Sequence, residues 1–262
     1  MLLSIIIPVY NERQTLGPVL VLVARALPHV NKEIVIVDDC SKDGTREWLK
    51  ANFPHGQCSG STIDLDHNGN LVFNQVSGPS TVTMRTIFHE RNKGKGSGLQ
   101  TGFAAVTGDV LVIQDADVEY EPNDWEQMYN LIAVRKVADV VFGSRFYGRP
   151  HRSLYFHHYM GNRVISLLFN LLFNQTLTDI ECCYKMMTSR VAQSLHLTAN
   201  DFGIEVEMSA EIARQRNLRI YEIGISYFGR SYTEGKKAQW KDGVRALWYI
   251  FKFRLRTWHK NF

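Results

Sequence analysis

Short, nearly continuous apolar runs alternate with amphipathic stretches along the first 145 residues of the chain. Such runs are typical of strands buried on both faces of a sheet, and the stretches between them have the spacing of helices. Strands are predicted at 3–10, 33–39, 82–89, 109–114 and 139–142, and helices around 15–27, around 43–50, near 99–106 and at 125–137. The alternation predicts an α/β fold in which helices sandwich a Rossmann-like, mostly parallel sheet.

Outside these elements the pattern is less regular. Residues 52–80 are polar and rich in Gly, Ser and Asn, which indicates a loop. Helices are expected at 160–173 and 205–216, a turn at Thr178-Asp179, a strand at 219–227 and a basic helix at the C-terminus. Because no repeat and no linker is visible, we expect a single domain.

Polar side chains follow the ends of the five predicted strands. They are Asn11 and Glu12, Asp38 and Asp39, Lys93 and Lys95, Asp115 and Asp117, and Ser144 and Arg145. Ligands of parallel α/β sheets bind beyond the carboxyl ends of the strands, where these side chains would meet. The sequence therefore predicts a ligand site at this edge of the sheet.

Three carboxylates stand close together after the strand at 109–114. Asp115 and Asp117 are two residues apart and Glu119 follows, so they could converge on a hard divalent cation and leave room for a diphosphate. The competing interpretation is that they are turn residues and helix caps. Basic residues at the same edge favour the metal–phosphate interpretation.

Two further motifs each allow two interpretations. The glycine-rich segment 91–98 leads into a helix, so its backbone could approach a phosphate, but it could equally be a flexible surface turn. It matches neither a P-loop nor the dinucleotide fingerprint. Asp38 and Asp39 could hold a ribose hydroxyl or cap the helix that follows them.

Composition and charge narrow the class of protein. The 262 residues are 45% hydrophobic and 21% charged, which excludes a disordered or coiled-coil chain. Neither a signal peptide nor a membrane span is visible, and four cysteines without metal-ligand spacing suggest reduced thiols in a cytoplasmic protein. The net charge of +4 divides into +7 for residues 236–262 and −3 for the rest, which indicates an anionic partner at the C-terminal end.

The motifs taken in order resemble those of family-2, inverting GT-A glycosyltransferases, and in particular the dolichyl- or polyprenyl-phosphate hexosyltransferases. The motifs lie at 7–12, 36–45, 92–96, 114–117, 143–145 and 177–179, with a late Arg230 and the 234–237 segment. The resemblance implies a GT-A catalytic domain at 1–235, with a nucleotide-binding half at 1–145 and an acceptor half at 146–235. Residues 236–262 would form a basic amphipathic segment.

The resemblance also implies a role for each matching residue. Pro8, Tyr10, Asn11, Glu12 and Asp39 would line the base and ribose pocket, with Lys95 near the nucleotide. Asp115, Ala116 and Asp117 match the D-x-D motif, and Mg²⁺ or Mn²⁺ would bind at Asp115, Asp117 and Glu119. Arg145 and Arg152 would face the acceptor phosphate, and Arg230 and Lys236 would close on the diphosphate. Cys40 stands where relatives usually have Gly, and Cys182-Cys183 departs from the usual pair.

The implied reaction moves a hexose from a GDP-mannose or UDP-glucose type of donor to a polyprenyl or dolichyl phosphate. A phosphate acceptor needs no general base, whereas a hydroxyl on a glycan, glycolipid or small molecule would need one, for which Asp179 is the candidate. A nucleotidyltransferase or an inactive nucleotide-binding protein is the alternative from a different class. No nucleic-acid partner is expected.

Apolar residues recur at helical spacing in the C-terminal segment, among many cations. They are Trp240, Val244, Leu247, Trp248, Phe251 and Leu255. The pattern is typical of a helix lying on an anionic membrane, which would make the protein peripheral at the cytoplasmic face, or of one binding a membrane protein. The competing interpretation is that the apolar stripe packs on the protein's own core.

Overall fold

The computed structural model of the protein describes residues 1–60, 62–74, 80–148, 150–153, 155–230 and 240–258, with side chains from 243 to 256 in the last range. The strands are β1 (Leu2–Val9), β2 (Asn31–Asp38), β3 (Gln57–Gly60), β4 (Thr62–Leu65), β5 (Leu71–Asn74), β6 (Val82–Phe88), β7 (Val110–Ile113), β8 (Val140–Ser144), β9 (Lys185–Thr188) and β10 (Ile220–Gly224). The α-helices are α1 (Leu16–Arg25), α2 (Thr45–Asn52), α3 (Lys95–Ala105), α4 (Trp125–Tyr129), α5 (Phe156–Phe173), α6 (Ser189–Ser194), α7 (Ile204–Ala213) and α8 (Trp240–Trp258).

A central sheet of eight strands has the order β10-β8-β9-β7-β1-β2-β6-β3. Strand β1 is parallel to β2 and β7, β2 is parallel to β6, and β8 is parallel to β10. Strand β9 runs antiparallel between β7 and β8, and β3 is antiparallel to β6. The predicted α/β fold with a mostly parallel sheet is therefore confirmed.

The centre of the sheet is apolar on both faces. Ile5, Ile6 and Ile7 of β1 are fully buried, as the continuous apolar run predicted. Helix α3 lies close against this strand, because a Cβ on Gly102 would come within 2.2 Å of the Ile6 side chain. This close packing places the first residue of α3, Lys95, above the carboxyl ends of β1 and β2.

The prediction of a loop at 52–80 is wrong where three short strands form, at 57–60, 62–65 and 71–74. Strand β3 pairs with the edge strand β6, and β4 and β5 form a hairpin. Asp66 closes the hairpin, since its Oδ1 accepts backbone N–H bonds from Asn68 and Asn70, both 2.8 Å long. The sequence concealed these strands because each has only four residues and polar, turn-forming residues surround them.

Two further elements differ from the prediction. The expected helix at 125–137 is a 3₁₀ turn at Pro122–Asp124, then α4, then a π-helical turn at Asn130–Val134. Helix α5 begins at Phe156 rather than at residue 160.

Helices α5 and α8 pack against each other, and α8 also packs against α7. Ala246, Ile250 and Phe253 form the buried face of α8, and the Tyr249 ring lies over Gly203 at the start of α7. Within the described part of the chain, no helix combines the length and the hydrophobicity needed to cross a bilayer.

Candidate active site

A cavity of about 1270 Å³ lies beyond the carboxyl ends of β1, β2, β7 and β8. The predicted site residues that line it are Pro8, Tyr10, Glu12, Asp39, Lys95, Asp115, Ala116, Asp117, Glu119, Arg145 and Arg230. Asn11, Arg152 and Asp179 are absent from its wall, and Lys236 lies outside the described residues. The fold thus brings most of the predicted residues together.

Asn11 positions a loop instead of lining the cavity. Its backbone N–H donates to Ser41 Oγ over 2.9 Å, and its Oδ1 accepts from the Lys42 backbone N–H over 2.8 Å. The backbone of Asn11 is left-handed, with φ of 55°, a conformation that Asn tolerates better than most residues. Cys40 has φ of 64°, which gives a physical reason why glycine is usual at its position in the family that the sequence resembles.

Asp39 holds the glycine-rich turn in place. Its carboxylate accepts N–H bonds from the backbone of Lys93, at 2.9 Å, and of Gly94, at 2.7 Å, and lies 2.8 Å from His89 Nδ1. The neighbouring Asp38 accepts from Arg46 Nε over 2.6 Å. Both carboxylates therefore order the loops that follow the strands, and Asp39 also reaches the cavity wall.

The glycines of the turn permit contact between two chain segments. The backbone N–H of Gly96 donates to the Asn200 carbonyl over 2.8 Å, and a Cβ on Gly96 would come within 2.1 Å of the Ala199 carbonyl oxygen. A Cβ on Gly94 would likewise meet Asn200. At Gly96, therefore, a protein carbonyl occupies the place at which the sequence suggested that the backbone could approach a phosphate.

Lys95 belongs to a chain of alternating charges. Its Nζ lies 2.8 Å from Asp115 Oδ1 and 3.1 Å from Glu205 Oε1, and Lys185 Nζ lies 2.6 Å from the other oxygen of Glu205. Burial disfavours the charge on Lys95, but Asp115, Cys183 and Glu205 outweigh it and raise the pKa of Lys95 well above its ordinary value. Lys95 is therefore a fixed cation in the cavity wall.

Arg230 bridges two of the three carboxylates that were predicted to bind metal. Its Nη2 lies 2.6 Å from Asp117 Oδ2, and its Nε and backbone N–H both donate to Glu119 Oε1, at 3.0 and 2.9 Å. Tyr227 donates its hydroxyl proton to the second oxygen of Glu119 over 3.0 Å. Burial, Asp115 and Glu119 raise the pKa of Asp117 to about 7, although Arg230 acts in the opposite direction.

These contacts limit which of the three predicted carboxylates could bind a metal ion. Lys95 binds Asp115, while Arg230 and Tyr227 bind Glu119, so among the described residues no three such side chains gather around one point where a metal ion could sit. Asp117 fits a divalent cation best, because its carboxylate faces the cavity and a cation could take the place of the Arg230 guanidinium. Diphosphate oxygens would complete the coordination.

Arg145 and Asp179 form a bidentate ion pair. Arg145 Nε and Nη2 donate to the two carboxylate oxygens over 2.7 and 2.8 Å, and the Arg145 backbone N–H makes a third bond. Asp179 is fully buried, so it holds Arg145 from behind and does not reach the cavity. In this structure Asp179 is therefore badly placed for the general-base role that the sequence suggested for a hydroxyl acceptor.

Arg152 is also displaced from its predicted place. Its side chain is exposed and donates from Nη1 to the Gly229 carbonyl over 3.2 Å, and its backbone N–H donates to the Tyr227 carbonyl. Arg152 thus supports the segment that carries Arg230.

Sequence reasoning missed part of the cavity wall. Glu181, Glu205 and Tyr227 line it together with apolar residues of α5 and α8, namely Met160, Val164, Ile165, Val244 and Leu247. Glu181 stands two residues beyond the predicted Asp179, but no local pattern says which of the two carboxylates faces the cavity. The i, i+4 spacing of Met160 and Val164 was visible, and their position at the cavity depends on the packing of α5 against α8.

Comparisons with known proteins identify the family and the fold. A family model described as Glycosyl transferase family 2 matches residues 4–68 and 82–195. The chain is 33% identical to a dolichol-phosphate mannosyltransferase of Pyrococcus furiosus over 56% of its own length and 34% of the relative's. It is 27% identical to an undecaprenyl-phosphate mannosyltransferase of Micrococcus luteus, over 88% of this chain and 85% of the relative. The fold is similar to that of glucosyl-3-phosphoglycerate synthase from Mycobacterium tuberculosis in complex with Mn²⁺, UDP-glucose and phosphoglyceric acid, with a TM-score of 0.66 and 15% identity, covering 96% of this chain and 79% of that one.

Proposed function

Because the chain belongs to glycosyl transferase family 2, we propose that it transfers a hexose from a nucleoside diphosphate sugar to the phosphate of a polyprenyl or dolichyl lipid. The observation that carries the proposal is the division of the cavity into a charged wall and an apolar wall. Lys95, Asp117, Arg145 and Arg230 line the charged side. The apolar side is continuous with exposed faces of α5 and α8, as an amphiphilic acceptor requires.

The donor would occupy the charged wall at the strand ends. Pro8, Tyr10, Glu12 and Asp39 are placed to contact the base and ribose, and Lys95 and Arg230 to contact the diphosphate. Mg²⁺ or Mn²⁺ at Asp117 would neutralise charge on the leaving group. The Mn²⁺ and UDP-glucose held by the structural relative support this assignment, and a GDP-mannose or UDP-glucose type of donor fits it.

In the proposed reaction an oxygen of the acceptor phosphate attacks the anomeric carbon of the sugar. The bond between that carbon and the diphosphate oxygen breaks, the nucleoside diphosphate leaves with the electron pair, and the anomeric configuration inverts. Arg145 would orient the acceptor phosphate, with its own direction fixed by Asp179. Lys95 and Arg230 stabilise the negative charge that develops on the leaving diphosphate.

No general base is needed for this acceptor, because a phosphate monoester with a second pKa of about 6 is already ionised at neutral pH. The pairing of Asp179 with Arg145 agrees with that chemistry and argues against the hydroxyl acceptor that would use Asp179 as base.

The test supplies labelled UDP- and GDP-hexoses with Mn²⁺ or Mg²⁺ and a polyprenyl phosphate, and measures label in the extracted lipid. We expect a sugar phospholipid with one donor, and none when the free polyprenol replaces its phosphate. Label transferred to the polyprenol, or only to a soluble hydroxyl, would contradict the lipid-phosphate proposal.

The acceptor would be reached from the surface of an anionic membrane, at its cytoplasmic face. Val244, Trp248, Phe251 and Leu255 form an exposed stripe along α8, on the side opposite its buried residues. On α5 a second exposed stripe consists of Phe156, Met160, Val164, Leu167 and Leu171. We call the two stripes together the α5–α8 face. The buried side of α8 agrees with the core interpretation of the C-terminal helix, and its exposed side is the part that we propose contacts the membrane.

The positive charges beside the α5–α8 face favour an anionic bilayer as its binding partner. Arg245, Lys252 and Arg254 are exposed beside the α8 stripe, and Lys252 lies 4.8 Å from the Trp248 ring centre. Helix α5 contains no acidic residue and one arginine, Arg163. Cations beside an exposed apolar stripe are typical of helices that lie in the headgroup region.

Replacing Leu167 and Trp248 together by Ser should lower binding to vesicles containing phosphatidylserine by at least about tenfold, since each side chain loses several buried methylene equivalents. Cosedimentation measures the binding, which should also fall with salt. Val134→Ser removes an exposed apolar side chain outside the face and is the matched control. Equal vesicle binding by all three proteins would contradict membrane docking through this face.

A further inference from the structure

Glu181 differs from the other carboxylates of the cavity wall. Within the described residues its side chain forms no hydrogen bond or ion pair, although it lines the cavity. The remaining cavity carboxylates are all held: Glu12 by Thr15, Asp39 by backbone N–H groups, Asp115 and Glu205 by lysines, and Asp117 and Glu119 by Arg230. A carboxylate left open in an enclosed site requires donors from a ligand or from water.

Glu181 shares the cavity wall with Arg145 and with Lys95 and Glu205. Arg145 and Asp179 on one side, and Glu205 and Lys185 on the other, all shift the pKa of Glu181, which is consistent with a place between the two charged parts of the cavity. During the proposed reaction the diphosphate lies near Lys95 and the acceptor phosphate near Arg145. The group held between two phosphates in such a reaction is the sugar that moves from one to the other.

The chemistry of Glu181 fits hydroxyl groups. A carboxylate repels both phosphates, so it contributes nothing to holding either of them. It accepts strong hydrogen bonds from neutral donors, and a hexose presents several hydroxyl donors around its ring. We propose that Glu181 accepts a hydrogen bond from a hydroxyl of the transferred hexose and so helps to select the donor sugar.

This inference rests on the proposed function only in that the ligand is a nucleoside diphosphate sugar. It is independent of the acceptor, because it concerns binding of the donor. Its test therefore measures donor affinity by calorimetry, without a transfer step, and a failure of the lipid-phosphate proposal would leave it intact.

The experiment compares GDP-mannose and UDP-glucose with their monodeoxy analogues, one hydroxyl removed at a time, and with the free nucleoside diphosphates. Glu181→Ala should lower affinity for the full sugar by roughly tenfold or more, the size expected for a hydrogen bond to a charged group. The free diphosphate should bind both proteins equally. Glu126→Gln, an exposed carboxylate change on α4, is the control for altered charge.

The decisive result is a coupling between one hydroxyl and Glu181. The wild-type protein should lose affinity when that hydroxyl is removed, and Glu181→Ala should lose almost nothing further. Additive losses at every position, or an equal loss of affinity for the free diphosphate, would overturn the inference. Glu181→Gln keeps an acceptor oxygen and should recover part of the discrimination, which a merely structural role would not produce.

Discussion

At the end of the cavity proposed for the donor nucleotide, the charged side chains are held by other parts of the protein, whereas a carboxylate between that end and the proposed acceptor end is left open. Asp39 accepts backbone N–H bonds and Lys95 has two carboxylate partners. Between the two ends, Glu181 forms no hydrogen bond or ion pair with other residues that the structure describes, and beyond it the wall passes into the exposed α5–α8 face. The difference indicates that folding preorganises the donor end, while ligand groups complete the centre of the cavity and the membrane completes the apolar wall.

The largest effect is expected at Asp117. Asp117→Asn should lower transfer by about a thousandfold or more, because the neutral amide removes the charge that would hold the cation. Mn²⁺-dependent binding of the nucleoside diphosphate, measured by calorimetry, should be lost as well. Glu126→Gln is the control, and full turnover by a folded Asp117→Asn protein would contradict the assignment of the metal to this residue.

The next prediction distinguishes the proposed acceptor end of the cavity from the proposed donor end. Arg145→Lys keeps the positive charge but loses the bidentate bond to Asp179, so kcat/KM for the lipid phosphate should fall by about a hundredfold. Affinity for the nucleoside diphosphate should stay unchanged. Arg163→Lys, an exposed change on α5, is the matched control. An equal loss of donor affinity would place Arg145 at the donor end.

The central strands could be predicted from the sequence, because β1, β2, β7 and β8 are short apolar runs, the pattern of strands buried in a sheet. Strand β6 is less apolar, and of its residues only Val82 and Met84 are buried. Strand β9 could not be predicted. Its first residue is Lys185, whose charge is tolerated in the core because Glu205, twenty residues later, meets it at 2.6 Å. A contact between distant segments decided the structure there.

The candidate site shows the same limit. The strand-end residues Asp115, Asp117 and Arg145 were found because position along a predicted strand is a local property. Asp179 was predicted at the cavity wall, but Glu181 lies there instead. Which of the two carboxylates faces the cavity depends on the path of the irregular segment that carries them. The apolar wall depends on how α5 and α8 pack, which amphipathic spacing alone does not determine.

A smaller effect tests preorganisation at the donor end. Asp39→Asn replaces a carboxylate that accepts from Lys93, Gly94 and His89, so it should destabilise the protein by about 1–3 kcal/mol. Donor affinity should fall with it, because the glycine-rich turn loses its anchor. Urea unfolding measures the stability, with Glu47→Gln on α2 as the exposed control. An unchanged free energy of unfolding would show that the turn is held by other contacts.

The last effect has the opposite sign and concerns Glu181, between the two ends of the cavity. Burial raises the pKa of Glu181 from its ordinary value of 4.5 to about 7, with Asp179 and Glu205 adding to the shift and Arg145 and Lys185 opposing it. Between these values the folded protein binds a proton that the unfolded chain releases, so the contribution of Glu181 to stability declines as pH rises from about 4.5 to 7.

The variant Glu181→Gln has no ionisable group at this position, so it does not lose stability through this titration. The ligand-free variant should therefore be more stable than the wild type by about 1–3 kcal/mol at pH 8 and nearly equal to it at pH 4.5, as measured by urea unfolding at both pH values. A saturating nucleoside diphosphate sugar should reduce the difference, since the wild-type carboxylate then gains its hydroxyl donor. If Glu181→Gln instead destabilised the protein at pH 8, as Asp39→Asn is expected to, the centre of the cavity would be as preorganised as the donor end and the contrast between them would fail.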